Sequence, residues 1–166
     1  REKTGAGFLD CKKSLEENNN DIEKSIEALR KKGLAKASKK TDRVANEGAV
    51  GIFSNNNITA LIKLNSETDF AAKSETFLDF LDALGNIVLN NNNSINKDEL
   101  LNLKYENGVV RDFLNSMIAK IGENLILNDV IIKDNKNSEH SFYIHNSYKK
   151  NIGKIISTIQ YSCNNN

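Results

Sequence analysis

Three stretches of this sequence gather side chains able to hold an anion, a nucleic acid or a metal. Residues 4–7, Thr-Gly-Ala-Gly, have the small-residue character of a phosphate loop. Such a loop needs a preceding strand and a following Gly-Lys-Ser/Thr, and neither is present. A glycine-dependent turn between helices is the better expectation. The run from Arg30 to Arg43 carries seven basic residues, Arg30, Lys31, Lys32, Lys36, Lys39, Lys40 and Arg43, against the single acid Asp42. That spacing suits contacts to RNA phosphates, but no aromatic residues are interleaved to stack on bases. A solvated helix face, or a surface for an acidic protein, is favoured. His140 and His145 lie near Glu139 and Tyr143 without the further Cys, His or Asp a metal site requires. G-x-S-x-G, H-E-x-x-H and framed carboxylate pairs are all missing, so an enzyme would have to assemble its site only in three dimensions.

A fourth stretch is of another kind. In residues 64–74, LNSETDFAAKS, an alternating apolar run ends and Phe70 follows Asp69 where the chain should be turning through solvent. Either Asp69 caps a short helix and Phe70 packs into the domain's own core, or Phe70 is an exposed aromatic anchor beside an orienting carboxylate. Composition does not choose between them.

The elements that must position these residues are legible in outline. At 166 residues, 39% hydrophobic and 27% charged, the chain can bury a substantial core as one domain or as a small module plus a larger one. A net charge of +1 leaves no global field, so electrostatic binding would rest on local clusters. No apolar run approaches the ~20 residues of a membrane span. The opening REKTGAG reads as the end of a helix whose start lies outside the chain. Cys11 and Cys163 form no disulfide framework, and reduced thiols are expected. The sequons at Asn57 and Asn92 then carry no glycan. Proline is absent, and asparagine runs fall between periodic segments as loop fillers.

Residues 1–41 read as a small helical module. Phe8, Cys11 and Leu15 share one face of a first helix. Asp21 caps a second helix carrying Ile22, Ile26 and Leu29, Gly33 ends it, and residues 34–40 form a short third. From Gly48, two strands joined by an asparagine loop are expected, with Ile58, Ala60, Ile62 and Leu64 on one face. A helix follows through Phe77, Leu81, Leu84 and Val88 with Ser74 at its cap, and another through Val110, Phe113, Leu114, Met117 and Ile121. Residues 91–108 are weakly patterned. Residues 125–132, 141–145 and 152–159 read as strands. This order argues for an α+β fold built on antiparallel sheet.

Several of these segments coincide with an ordered series of motifs. REKTGAGFLDCKKSLEENNNDIEKSIEALRKKG fits the pattern R-x-x-T-G-A-G-[LM]-[LM]-D-C-K-K-A-L followed by a helix opened by D-I-E. TDFAAKSETF fits T-D-F-V-A-K, KIGENLIL fits I-G-E-N, and FYIHNSYKKNIGKIIS is similar to an S-Y-x-H strand with a following glycine-led strand. Together they resemble the elongation factor Ts family, guanine-nucleotide exchange factors for the translation GTPase elongation factor Tu.

The resemblance implies a ubiquitin-associated-like three-helix module over residues 1–41 and an α+β core over residues 42–166, its C-terminal part incomplete. It implies a binding protein, not an enzyme, with no cofactor, metal, nucleotide, nucleic acid or membrane of its own, and elongation factor Tu as partner. Thr68, Asp69 and Phe70 would form the loop inserted into that partner, with Phe70 wedged between two helices. Arg1, Phe8, Leu9 and Lys12 match an N-terminal contact region, and Ile121, Gly122 and His145 match weaker contacts. Phe8 departs from the usual Leu or Met, keeping apolar character but changing shape. An organelle matrix or stroma is the expected compartment, with a bacterial cytoplasm the alternative. The rival function is an RNA- or ribosome-associated protein using residues 30–43.

Overall fold

Two alternating apolar runs, β1 (Glu47–Ser54) and β2 (Ile58–Ser66), pair antiparallel at the centre of the sheet. They are seen in a computed structural model that describes residues 4, 6–91, 94–106, 108–136 and 138–162. Arg1, Cys163 and the sequon asparagine Asn92 lie outside the described residues. The hairpin turn is set by Asn55, whose Oδ1 accepts from the amides of Asn57 (2.8 Å) and Ile58 (2.9 Å). This local hydrogen bonding explains why asparagine serves in the turn.

Three further strands, β5 (Leu125–Asp134), β6 (Glu139–Lys149) and β7 (Ile152–Tyr161), complete a five-stranded antiparallel sheet in the order β5-β2-β1-β7-β6. The β7 strand is in ladder register with β1 only where Ile152 and Gly153 face Gly51 and Val50, so most of the β6–β7 hairpin runs on as a two-stranded ribbon. Its far end returns to β5, where Gln160 Nε2 donates to the Asp134 carbonyl (3.1 Å) and to Ser138 Oγ (2.7 Å).

One sheet face is covered by α4 (Glu75–Asn91) and α6 (Val110–Ile121). The expected stripe Phe77, Leu81, Leu84 and Val88 is wholly buried, and it meets Ile62 and Leu64 from β2. Ser74 Oγ accepts from the Phe77 amide at 3.3 Å, in the capping position read from the sequence. Gly85 in α4 lies against the Phe53 ring, where a Cβ would come to 2.4 Å, so the helix can approach the sheet only without a side chain there. Phe113 of α6 meets Phe80 edge-on at 5.0 Å and stacks on Tyr105 at 4.7 Å.

The weakly patterned stretch 91–108 holds structure that periodicity did not show. It contains α5 (Lys97–Asn102) and a ribbon of β3 (Lys104–Tyr105) with β4 (Gly108–Val109). A helix this short gives too few turns for a stripe, and a capping box between Asn96 and Glu99 defines it instead.

The N-terminal segment differs from expectation. Among the described residues it has two helices, α1 (Phe8–Glu17) and α2 (Ile22–Ser38), in place of three. Asp21 caps α2 as read, accepting from the Lys24 amide at 3.0 Å. Gly33 does not end that helix, and residues 34–38 continue it. The glycine is used for proximity: a Cβ there would lie 3.3 Å from the Ala119 Cβ, so its absence lets α2 pack tightly on α6. Ala37, 1% exposed on the same helix, belongs to the main core.

Candidate functional site

Beyond β2 the chain turns through Glu67 and Thr68 into a four-residue helix, α3 (Asp69–Ala72). Its cap is Thr68, not Asp69 as one sequence alternative had it. Thr68 has extended backbone, and its Oγ1 accepts from the Ala71 amide at 3.2 Å. Ala71 and Ala72 face inward, 8% and 0% exposed, and their small side chains let α3 lie close to the sheet. With one face of so short a helix buried, Asp69 and Phe70 must project from the other. Phe70 is 84% exposed, which excludes the core-packing alternative and meets the expectation of an aromatic standing in solvent.

Asp69 is tied within its own helix. Lys73 Nζ donates to its carboxylate at 2.7 Å, an i,i+4 pair. That hydrogen bond holds the Asp69 carboxyl below its ordinary pKa and raises Lys73 above its own. The same ammonium lies 5.7 Å from the centroid of the Tyr148 ring on β6.

The other side of the loop is held from the turn after α6. Glu123 accepts from the Thr68 amide through Oε2 (2.9 Å) and from the Thr68 hydroxyl through Oε1 (2.7 Å). The structure thereby brings Ile121 and Gly122 beside the Thr68–Phe70 loop. Gly122 ends α6 in the left-handed conformation, φ +89°, and is exposed, whereas Ile121 is half-buried against the core. The remaining described candidates lie on β6 and α1. His145 is exposed on β6, with its ring 6.3 Å from that of Tyr143. Phe8 and Leu9 are 68% and 78% exposed at the start of α1, and Lys12 pairs with Glu16 on the same helix. The polar ties of α1 run to α2, through Lys32 to Asp10 (2.6 Å) and Ser14 Oγ to the Ser25 carbonyl (3.0 Å).

Much of the basic run is occupied by the chain's own acceptors. Lys31 pairs with Glu27, Lys32 with Asp10 and Arg43 with Glu67, while Lys40 Nζ donates to the Gly122 carbonyl. Lys31, Lys32 and Arg43, paired with carboxylates, present less net charge to a phosphate backbone than the sequence run suggested, while Lys40 keeps its full charge at a neutral carbonyl. Among the described residues no group of three or more His, Cys, Asp or Glu gathers to hold a metal ion, and no helix is long and apolar enough to cross a membrane. Glu123 and Asn124 stand within the I-G-E-N motif, and their tie to residues 41–68 is a long-range contact that no local pattern announces.

A helical pair seated on an α+β core, with an exposed aromatic on a short helix tied from two sides, has the make-up of a protein-interaction module. A family model described as Elongation factor TS matches residues 67–166. Over 155 residues, 93% of its length, the chain is 41% identical to an elongation factor Ts from Methylobacterium sp. (strain 4-46). It is 39% and 38% identical over the same share to the proteins of that name from Sinorhizobium fredii and Rhizobium meliloti. The chain belongs to the elongation factor Ts family. It spans about half the length of the curated relatives it matches, 50% of each of these three.

Proposed function

We infer that this chain acts in translation as a guanine-nucleotide exchange factor for elongation factor Tu, inserting Thr68, Asp69 and Phe70 into its partner. The observation that carries the inference is the exposed Phe70 on a fixed support, within a chain of the elongation factor Ts family. The factor performs no covalent chemistry. It binds the nucleotide-free GTPase better than the nucleotide-bound one, and by linkage each then weakens the other's hold. Burying an aromatic of this size supplies ~1.5–3 kcal/mol, enough at one contact to change an equilibrium by about tenfold or more.

The helical pair takes the place of the ubiquitin-associated-like module, with Phe8, Leu9 and Lys12 as its contact face and Arg1 assigned to the same region by resemblance. Residues 42–166 form the core, and Ile121, Gly122 and His145 are its secondary contacts. The setting is a compartment with bacterial-type translation, a bacterial cytoplasm or an organelle matrix, and the bacterial relatives support the former. The test is release of labelled GDP from elongation factor Tu with and without this protein. Stimulation by the wild type, with a loss of about tenfold or more for Phe70→Ala, is expected. Unchanged stimulation by Phe70→Ala would overturn the wedge role.

A further inference from the structure

We propose that Glu123 is a positioning residue for Phe70: its carboxylate clamps Thr68, and through that clamp sets the direction in which α3 presents the aromatic. The inference rests on the exchange-factor role inferred above but concerns a residue outside the contact set.

The geometry supports a dedicated clamp. The Thr68 hydroxyl is already an acceptor for the Ala71 amide, so its own proton needs a second partner. Glu123 Oε1 takes that proton at 2.7 Å while Oε2 takes the Thr68 amide at 2.9 Å. Both donors of the cap residue thus end on one carboxylate, which an acceptor with a single oxygen does not match. Thr68 fixes where α3 begins, and Phe70 is only two residues on, so a swing of Thr68 reorients the ring.

The turn bearing Glu123 is itself immobilised. Asn124 is 1% exposed, its amide donates to Glu67 Oε1 at 2.7 Å, and its Nδ2 donates to the carbonyls of Arg43 (2.7 Å) and Thr41 (3.3 Å). Arg43 pairs back to Glu67 at 3.5 Å, and Lys40 Nζ donates to the Gly122 carbonyl. The α2–β1 linker, the end of β2 and the α6–β5 turn therefore form one hydrogen-bonded junction beneath Phe70. A fixed base of this kind keeps the wedge preorganised, so that docking does not have to order it.

The experiment compares Glu123→Ala, Glu123→Gln and Phe70→Ala with the Glu123→Ala/Phe70→Ala double variant in GDP release, alongside amide hydrogen exchange of the free proteins. Glu123→Ala should slow stimulated release by roughly fivefold to tenfold. Glu123→Gln, which keeps an acceptor for the Thr68 amide, should recover part of that loss. The double variant should be no slower than Phe70→Ala alone, because Glu123 acts only through the ring. Additive losses would mean that Glu123 contributes independently of Phe70 and would overturn the proposal, as would a Glu123→Ala variant with wild-type release. Amide exchange separates this result from failure of the exchange-factor inference. If Phe70→Ala leaves release unchanged, the wedge falls, and the clamp is judged on the Thr68–Ala72 amides alone. Their faster exchange in Glu123→Ala sustains the clamp, and unchanged protection overturns it.

Discussion

Two helix starts in this molecule present apolar side chains to solvent, and they are held in different ways. At α3, Phe70 stands on a helix capped by Thr68, clamped by Glu123 and backed by two buried alanines. At α1, Phe8 and Leu9 follow Gly7, which offers no side-chain cap. The first is tied by side-chain bonds on two sides, and the second has no side-chain cap. In the wedge role proposed above, a fixed mounting serves Phe70, because a support that gave way on docking would have to be ordered at the expense of binding.

The difference can be broken by measurement. Phe70→Ala should have the largest effect, lowering the maximal rate of stimulated GDP release by about tenfold or more. The Phe8→Ala/Leu9→Ala pair should raise the factor concentration needed for half-maximal release by several-fold, roughly, while leaving the maximal rate nearly intact. A fall in maximal rate there would show that α1 shares the wedge function. Asp69→Asn should lower the stability of the free protein only weakly, because its pair with Lys73 is exposed. The Asp69 carboxyl is lowered in the fold, so its contribution is present above the ordinary value of 3.8 and lost as pH falls through the lowered one. Lys73 is raised, so its contribution holds below 10.5 and is lost as pH rises through its raised value. The difference in thermal midpoint between wild type and Asp69→Asn should therefore be flat across neutral pH and vanish in acid. The smallest effect belongs to Gly7→Asp, which meets open space and supplies the missing cap. It should raise stability by a few tenths of a kcal/mol, about 0.3–0.5, read from chemical denaturation.

The rival RNA-binding function is weighed by the same contrast. Residues 30–43 present a continuous basic run in sequence, yet Lys31, Lys32, Lys40 and Arg43 turn to acceptors of the chain itself. A charge run states how many cations are present, and only packing states which of them are free.

Elements of strong period were legible from the sequence. The β1–β2 hairpin falls where alternation places it, the buried stripe of α4 where helical periodicity does, and the strands after Asn124 where Ile, Leu, Val and Tyr concentrate. The fold was less legible where a residue's reason lay far away in the chain. Gly33 looked like a helix stop because glycine disfavours helix, but it serves to admit Ala119 of α6. The α5 helix, six residues long, was hidden because capping at Asn96 and Glu99, not an apolar stripe, defines it.

By itself the sequence determined the α+β class, the resemblance to the elongation factor Ts family and the identity of Phe70 as an aromatic in an unusual place. Local periodicity and motif order suffice for these, since they depend on residues near one another. Tertiary structure decided that Phe70 faces solvent, because Ala71 and Ala72 claim the inward face of α3. It also decided that Glu123, 55 residues from Thr68, holds the loop that carries it. Such a bond depends on where two distant turns meet, and only the packed sheet and helices fix that meeting.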